Sequence, residues 1–262
     1  MAQILAKPDN LNNLNKQYTH QPLQHPVFLN SVPKCGTHLI RNIMRMFVAV
    51  EQHYQDTFIQ YPMLREHVAA FSISAPKLSW GHLLFSDDSA IATKHARHTL
   101  IVRDPYTWVL ARARFFLSDN FHGALEHIKG GAVSVNEVLN LMIFGIIGKA
   151  PTIREIFQHN ALAWMGTNAR IIRMEDLVAA VKDLESASAE EFFTELLEFY
   201  GIAKPTDWRE RVRVGSDREQ SGTARENLAG GTGVIPDELP ETQKRLVDHM
   251  LPDVRELLGY ED

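Results

Sequence analysis

The segment from Val27 to Phe47 constrains this chain more than any other. Val27-Phe28-Leu29-Asn30-Ser31-Val32 is a short, mostly apolar run of the kind that suits a buried strand. Pro33-Lys34-Cys35-Gly36-Thr37 interrupts it, and Leu39, Ile40, Ile43, Met44 and Phe47 then recur along one stripe of a helix. Strand, glycine-containing turn and helix, in that order, open an α/β domain. Such a turn is physically a cradle for a phosphate. Turn amides and the helix N-terminus direct positive partial charge at an anion, and Lys34 adds a full charge. An ordinary strand-to-helix turn with a surface lysine fits the same letters. The Walker A spacing G-x-x-x-x-G-K-[ST] is absent.

The pattern recurs downstream. Thr99-Leu100-Ile101-Val102 reads as a second strand, and Arg103-Asp104-Pro105 then opens a helix to about Phe116, with proline at a favourable first position. Ala169 to Met174 reads as a third strand, followed by Glu175 and Asp176 at a helix start. Helices are expected near Val135–Ile147, Ile153–Met165, Ala189–Tyr200 and Pro240–Leu258. Strands alternating with helices imply one α/β domain with a central parallel sheet flanked by helices, an arrangement that resembles the P-loop nucleotide kinases. Residues 1–25 read as a loosely ordered polar arm, leaving 26–262 for the domain. The arginine- and glycine-rich stretch from Asp207 to Ile235 reads as a long functional loop over the ligand.

Composition narrows the function. At 262 residues and 45% hydrophobic, the chain can bury a sizeable core. A net charge of −5 argues against a nucleic-acid partner. The longest apolar run, Leu139 to Ile147, is too short to span a bilayer, and no secretory signal opens the chain. One cysteine, Cys35, gives no internal disulfide. A cytoplasmic protein without a membrane partner is expected, its oligomeric state left open. Lys94-His95-Ala96-Arg97-His98 reads as a solvated loop, without the carboxylate or cysteine that would complete a zinc set.

Four segments carry a resemblance. Phe28 to Leu39 resembles the 5′-phosphosulfate loop of the sulfotransferases that use 3′-phosphoadenosine-5′-phosphosulfate (PAPS), written P-K-[ST]-G-T-[TS]-[WL]. Thr99 to Phe115, with Arg103, resembles their 3′-phosphate segment. Ile171 to Leu177 resembles their "RYEDL" strand end, and Ser221 to Gly230 a decayed version of their C-terminal R-K-G-x-x-G loop. In that order and spacing, from about Val27 to Tyr260, the chain is similar to a divergent, bacterial-type member of this family. Trp80-Gly81-His82-Leu83-Leu84 stands where the family has its catalytic histidine. Ile156 to Trp164 is similar to a helix near the acceptor side.

The resemblance implies PAPS as cofactor, adenosine 3′,5′-bisphosphate (PAP) as product, no metal, and a small-molecule hydroxyl acceptor. It implies cofactor contacts from Lys34, Cys35, Gly36, Thr37, His38, Leu39, Arg103, Ala111, Met174, Arg225, Glu226 and Asn227. His82 is the implied general base, since a neutral imidazole can take a hydroxyl proton near neutral pH. His38, on the first turn after the loop, is the other candidate. Lys34 would stabilise charge growing on the departing phosphate. Cys35 reads as a cradle residue with a lowered pKa. Several positions depart from the family: Ala111 replaces a serine, His38 a hydroxyl residue, Trp80 a lysine, Met174 a tyrosine, and Glu226-Asn227 a Lys-Gly pair. A nucleotide kinase-like phosphotransferase and a catalytically weak nucleotide-binding protein of the same fold are the rival readings.

Overall fold

The apolar run at Val27 becomes the middle strand of a parallel sheet. The computed structural model describes residues 3–4, 8–55, 58–118, 121–122, 125–221 and 235–260. The elements are β1 (Gln3–Ile4), α1 (Leu11–Asn15), β2 (Val27–Ser31), α2 (Thr37–Arg45), β3 (Ile59–Gln60) and β4 (Leu78–His82). They continue with α3 (Asp87–Thr93), β5 (Arg97–Val102), α4 (Pro105–Leu117), β6 (Phe121–His122), α5 (Val135–Phe144) and α6 (Ile153–Asn160). The last are β7 (Arg170–Arg173), α7 (Met174–Lys182), α8 (Ala187–Tyr200), α9 (Trp208–Ser216), α10 (Glu241–Met250) and α11 (Val254–Leu257).

Five strands lie in the order β3-β4-β2-β5-β7, all parallel. Every residue of β2 is buried, and successive side chains of a strand face opposite ways. Both faces of the sheet are therefore covered, as parallel sheets require. From β2 the chain builds β3 and β4 on one side, then crosses to place β5 and β7 on the other. β2 is thus the point where strand order reverses. The crevice at the carboxyl ends of β4, β2 and β5 is where sheets of this kind hold ligands.

Local chemistry explains the element ends. Asp104 caps α4 by accepting from the Tyr106 amide at 2.9 Å, with Pro105 as the first helical residue. α5 and α6 begin in capping boxes, Ser134 with Glu137 and Thr152 with Glu155. Several expected helices are shorter than their apolar periodicity suggests. α5 stops at Gly145, whose φ is +79°, and α6 stops at Ala161, beyond which Leu162–Trp164 form a 3₁₀ turn. The C-terminal helix is two, α10 and α11, separated at Pro252, which cannot continue an α-helical ladder.

Three expectations are overturned. The first part of the stretch from Asp207 is not a loop: residues 208–216 form α9, packed along α2, while residues 222–234 lie outside the described residues. Gly215 is there for close approach, since a Cβ on it would lie 2.5 Å from the Ile43 Cα. The arginines of α9 are structural. Arg211 is buried, pairs with Asp207, and donates to the Met46 and Thr19 carbonyls. His98 is no loop residue but a fully buried member of β5, wedged between Phe28 and Trp164. Within residues 8–25 the polar composition conceals packing. Leu11 and Asn15 are buried, and the Asn15 amide donates to the Arg45 and Val48 carbonyls.

Candidate functional site

The turn after β2 has the backbone of an anion cradle. Lys34 has φ +70° and Gly36 φ +86°, two left-handed residues flanking Cys35. For lysine that conformation costs about 1 kcal/mol, a strain typical of functional turns. α2 starts at Thr37 with no side-chain cap. Among the described residues, the Gly36, Thr37, His38 and Leu39 amides find no acceptor. The turn is held from below: the Trp108 indole donates to the Pro33 carbonyl at 2.5 Å, and the Cys35 amide donates to the Val32 carbonyl at 3.2 Å. Met174 packs against Gly36, 3.3 Å from where a Cβ would stand.

Lys34 has no carboxylate partner among the described residues. Its Nζ lies over the Phe115 ring of α4, 2.9 Å from the centroid. The ring face favours the cation, but burial opposes it more strongly and pulls the ammonium down to about 7. Unpaired amides, the positive end of α2 and a partly desolvated lysine together suit a phosphate or sulfate group.

His82 ends β4, beside the end of β2. Its Nδ1 lies 2.8 Å from the Ser31 carbonyl, which can only accept, so Nδ1 carries the hydrogen and Nε2 keeps its lone pair. The Asn160 amide of α6 donates to the same carbonyl at 2.6 Å. The Ser31 hydroxyl lies 3.1 Å from His82 Nδ1 and makes a short hydrogen bond with the Thr37 hydroxyl. Asn30 fixes the next residue: its side chain accepts from the Leu83 amide and donates to the Leu83 carbonyl. Burial drives the His82 ring down to about 3, with Lys34 and His38 adding to the effect, so it is neutral at physiological pH. His38 is held at about 4 by burial, then by Arg41 and Lys34. It abuts the edge of Trp80, while Phe58 packs edge-on to both Trp80 and His82.

Arg103 follows β5. Its Nε donates to the Thr107 hydroxyl at 2.9 Å, and its Nη1 lies 3.5 Å from the Lys34 carbonyl, which brings the β5 turn beside the cradle. Ala111 stands one helical turn beyond Thr107 on α4, with Phe115 one turn further. Glu175 joins the turns after β5 and β7. It accepts from the Asp104 amide at 3.2 Å and from the Tyr260 hydroxyl at 2.8 Å. Cys35 is not the acidic cradle thiol expected. It is fully buried beneath the turn, and burial pushes its pKa well above the usual thiol value. Arg225, Glu226 and Asn227 lie outside the described residues.

The structure therefore brings Lys34, Gly36, Thr37, His38, Leu39, His82, Arg103 and Met174 to one crevice. Ser31, Asn160, Thr107 and Phe115 belong to it and escaped the sequence reading. Only Thr107 left a signal there, as the hydroxyl residue one turn before Ala111. Among the described residues no three His, Cys, Asp or Glu side chains gather as a metal site, and no helix is long and apolar enough to cross a membrane.

No family model matches the sequence, and no curated protein does. Solved structures do match in shape. A mouse sulfotransferase, SULT7A1, complexed with PAP, superposes with a TM-score of 0.54 over 95% of this chain and 91% of its own, at 14% identity. The chain has the sulfotransferase fold. The sulfotransferase domain from the curacin biosynthetic pathway matches with a TM-score of 0.43 over 92% of this chain and 99% of that domain, also at 14% identity.

Proposed function

We propose that this chain is a PAPS-dependent sulfotransferase acting on a hydroxyl of a small-molecule acceptor. The observation that carries the reading is the pairing of an anion cradle at the end of β2 with a neutral histidine at the end of β4. Ser31 links the two through its hydroxyl and its carbonyl. PAPS, when bound, supplies the sulfuryl group and leaves as PAP. Lys34 and the Gly36 to Leu39 amides would hold the 5′ side of the nucleotide, and Arg103 with Thr107 its 3′-phosphate.

His82 Nε2 takes the proton of the acceptor hydroxyl. The tautomer set by Ser31 presents the lone pair that this requires. Lys34, charged beside a phosphate, stabilises negative charge where it accumulates. The buried ring of Phe115 and the wall of α4 keep that lysine out of bulk water, which strengthens the interaction. His38, on the first turn of α2, is neutral and adds no charge that would repel Lys34.

The test is transfer of labelled sulfate from PAPS to a mixed pool of hydroxyl compounds, without and with magnesium, the product identified by mass. Turnover without magnesium is expected. Transfer from ATP but not PAPS, or no turnover with any acceptor, would reverse the assignment.

A further inference from the structure

A cavity of about 110 Å³ opens beside α2 and the start of β4, lined by Asn12, Arg41, Arg45, Gln55, Leu78 and Trp80 among others. The two arginines sit one helical turn apart on α2 and have opposite surroundings. Arg45 is saturated: it takes both oxygens of Asp9 at 2.8 and 2.9 Å and the side-chain oxygen of Asn12 at 2.7 Å. Arg41 makes no hydrogen bond or ion pair among the described residues. Its guanidinium is half-buried and lies over the Trp80 ring, 4.2 Å from the centroid. Burial, then the neighbouring Arg45, lower it to about 10, with Asp9 opposing them. No described residue lining the cavity is acidic.

A solvated surface arginine would be extended and mobile. This one is half-buried against an indole, so its freedom is already reduced before any ligand arrives. The location relates it to the reaction. Trp80 and His82 project from the same face of β4. Phe58 packs against both rings, at 4.8 and 4.6 Å between centroids. Trp80, Phe58 and His82 thus form a run of edge-on aromatic contacts with Arg41 beyond one end. Two residues of strand span about 7 Å, and the guanidinium lies a further ring contact away, so Arg41 and His82 are roughly 10 Å apart.

We propose that Arg41 receives a carboxylate of the acceptor. The preferred acceptors are then hydroxyl compounds with a flat apolar body and a carboxylate about 10 Å from the reacting oxygen. This rests on the sulfuryl-transfer reading for the chemistry at His82. It also gives a reason for tryptophan at position 80, since the guanidinium lies over that ring.

The probe is 3-(4-hydroxyphenyl)propanoate, with its neutral primary amide as the isosteric control. Titration calorimetry on the full chain, without nucleotide, measures both. The carboxylate should bind at least about tenfold tighter than the amide, as a charge-assisted bidentate pair demands. Arg41→Gln should bring the two affinities together. Equal affinities in the unmodified protein overturn the proposal whether or not the variant folds, and so does a preference that survives Arg41→Gln. PAPS-dependent turnover with the same pair separates the two readings. A carboxylate preference in binding with no transfer to either compound supports the Arg41 site and overturns the donor assignment instead.

Discussion

PAP binding should draw a proton from solution, and Lys34 should be the group that takes it. In the free protein burial holds this ammonium at about 7, so at pH 8 only about one molecule in eleven carries the charge. Beside a phosphate the charged form is required. Binding at pH 8 should therefore take up about 0.9 proton per site, and affinity should weaken about tenfold for each pH unit above 7, some 1.4 kcal/mol per unit. The sign follows from burial. A lysine whose pKa is depressed in the free state and restored in the complex makes affinity fall as pH rises. At pH 8 the nucleotide phosphates are already ionised, and His38 and His82, held near 4 and 3, are silent. Calorimetry in two buffers of different ionisation enthalpy counts the proton. Lys34→Arg is the matched control: a guanidinium stays charged throughout, and its uptake should be close to zero. The count does not depend on affinity, so a weaker complex is still informative. Equal uptake by both proteins, or none by the unmodified one, refutes Lys34 as the buried cation that meets the phosphate.

Three further outcomes are expected. His82→Ala should lower kcat by about 10²–10⁴-fold, as loss of a general base does, while the thermal shift produced by PAP persists. Full activity there, with His38→Ala dead, would transfer the role to His38. Ala111→Ser should tighten PAP by about tenfold if its hydroxyl meets the 3′-phosphate one turn beyond Thr107, without changing adenosine 5′-phosphate. Equal tightening of both nucleotides, or none, would remove Ala111 from that contact. His98→Phe should stabilise the fold increasingly as pH falls. Both ring nitrogens of His98 are buried without partners and burial holds it near 3, so the native state resists a proton that the unfolded chain accepts below about 6.5. Relative to the variant, the native protein should lose about 2 kcal/mol between pH 8 and pH 5 in urea titrations. A pH-independent difference would mean that His98 is protonated or solvated in the fold.

What the sequence displays and what it hides divide along physical lines. The β2–α2 and β5–α4 units are legible because their signals are local: an apolar run, a Pro or Gly at the break, and an Asp104-Pro105 cap. β4 is obscured because Gly81 interrupts its alternation. The structure gives the reason, since a Cβ there would lie 2.0 Å from the Ile59 carbonyl oxygen of β3. α9 is mistaken for a loop because its arginines and Gly215 look like solvated, hinge-forming residues. They are instead a buried ion pair and a close helix contact, both defined by distant segments. Cys35 misleads similarly: proximity to a helix N-terminus suggests an acidic thiol, and burial reverses the sign. Arg41, Asn160 and Phe115 gain their places only from tertiary neighbours, so no spacing rule could have marked them.

The arrangement of the crevice follows from the reversal of strand order at β2. Three neighbouring strands run the same way, so the turn bearing Lys34 lies between the strand that ends in His82 and the strand that leads to Arg103. Among the described residues, groups suited to a nucleotide follow β2 and β5, and His82 ends β4. Ser31, the last residue of β2, couples the two sides. Its hydroxyl reaches Thr37 in the cradle, and its carbonyl receives the His82 ring and the Asn160 amide. It is the carbonyl that decides the tautomer, because a hydroxyl can donate as well as accept and would leave either ring nitrogen protonated. Orientation of the imidazole is thus assigned to a backbone atom whose position depends on strand pairing. That is why a motif reading can point to the histidine but not to what aims it.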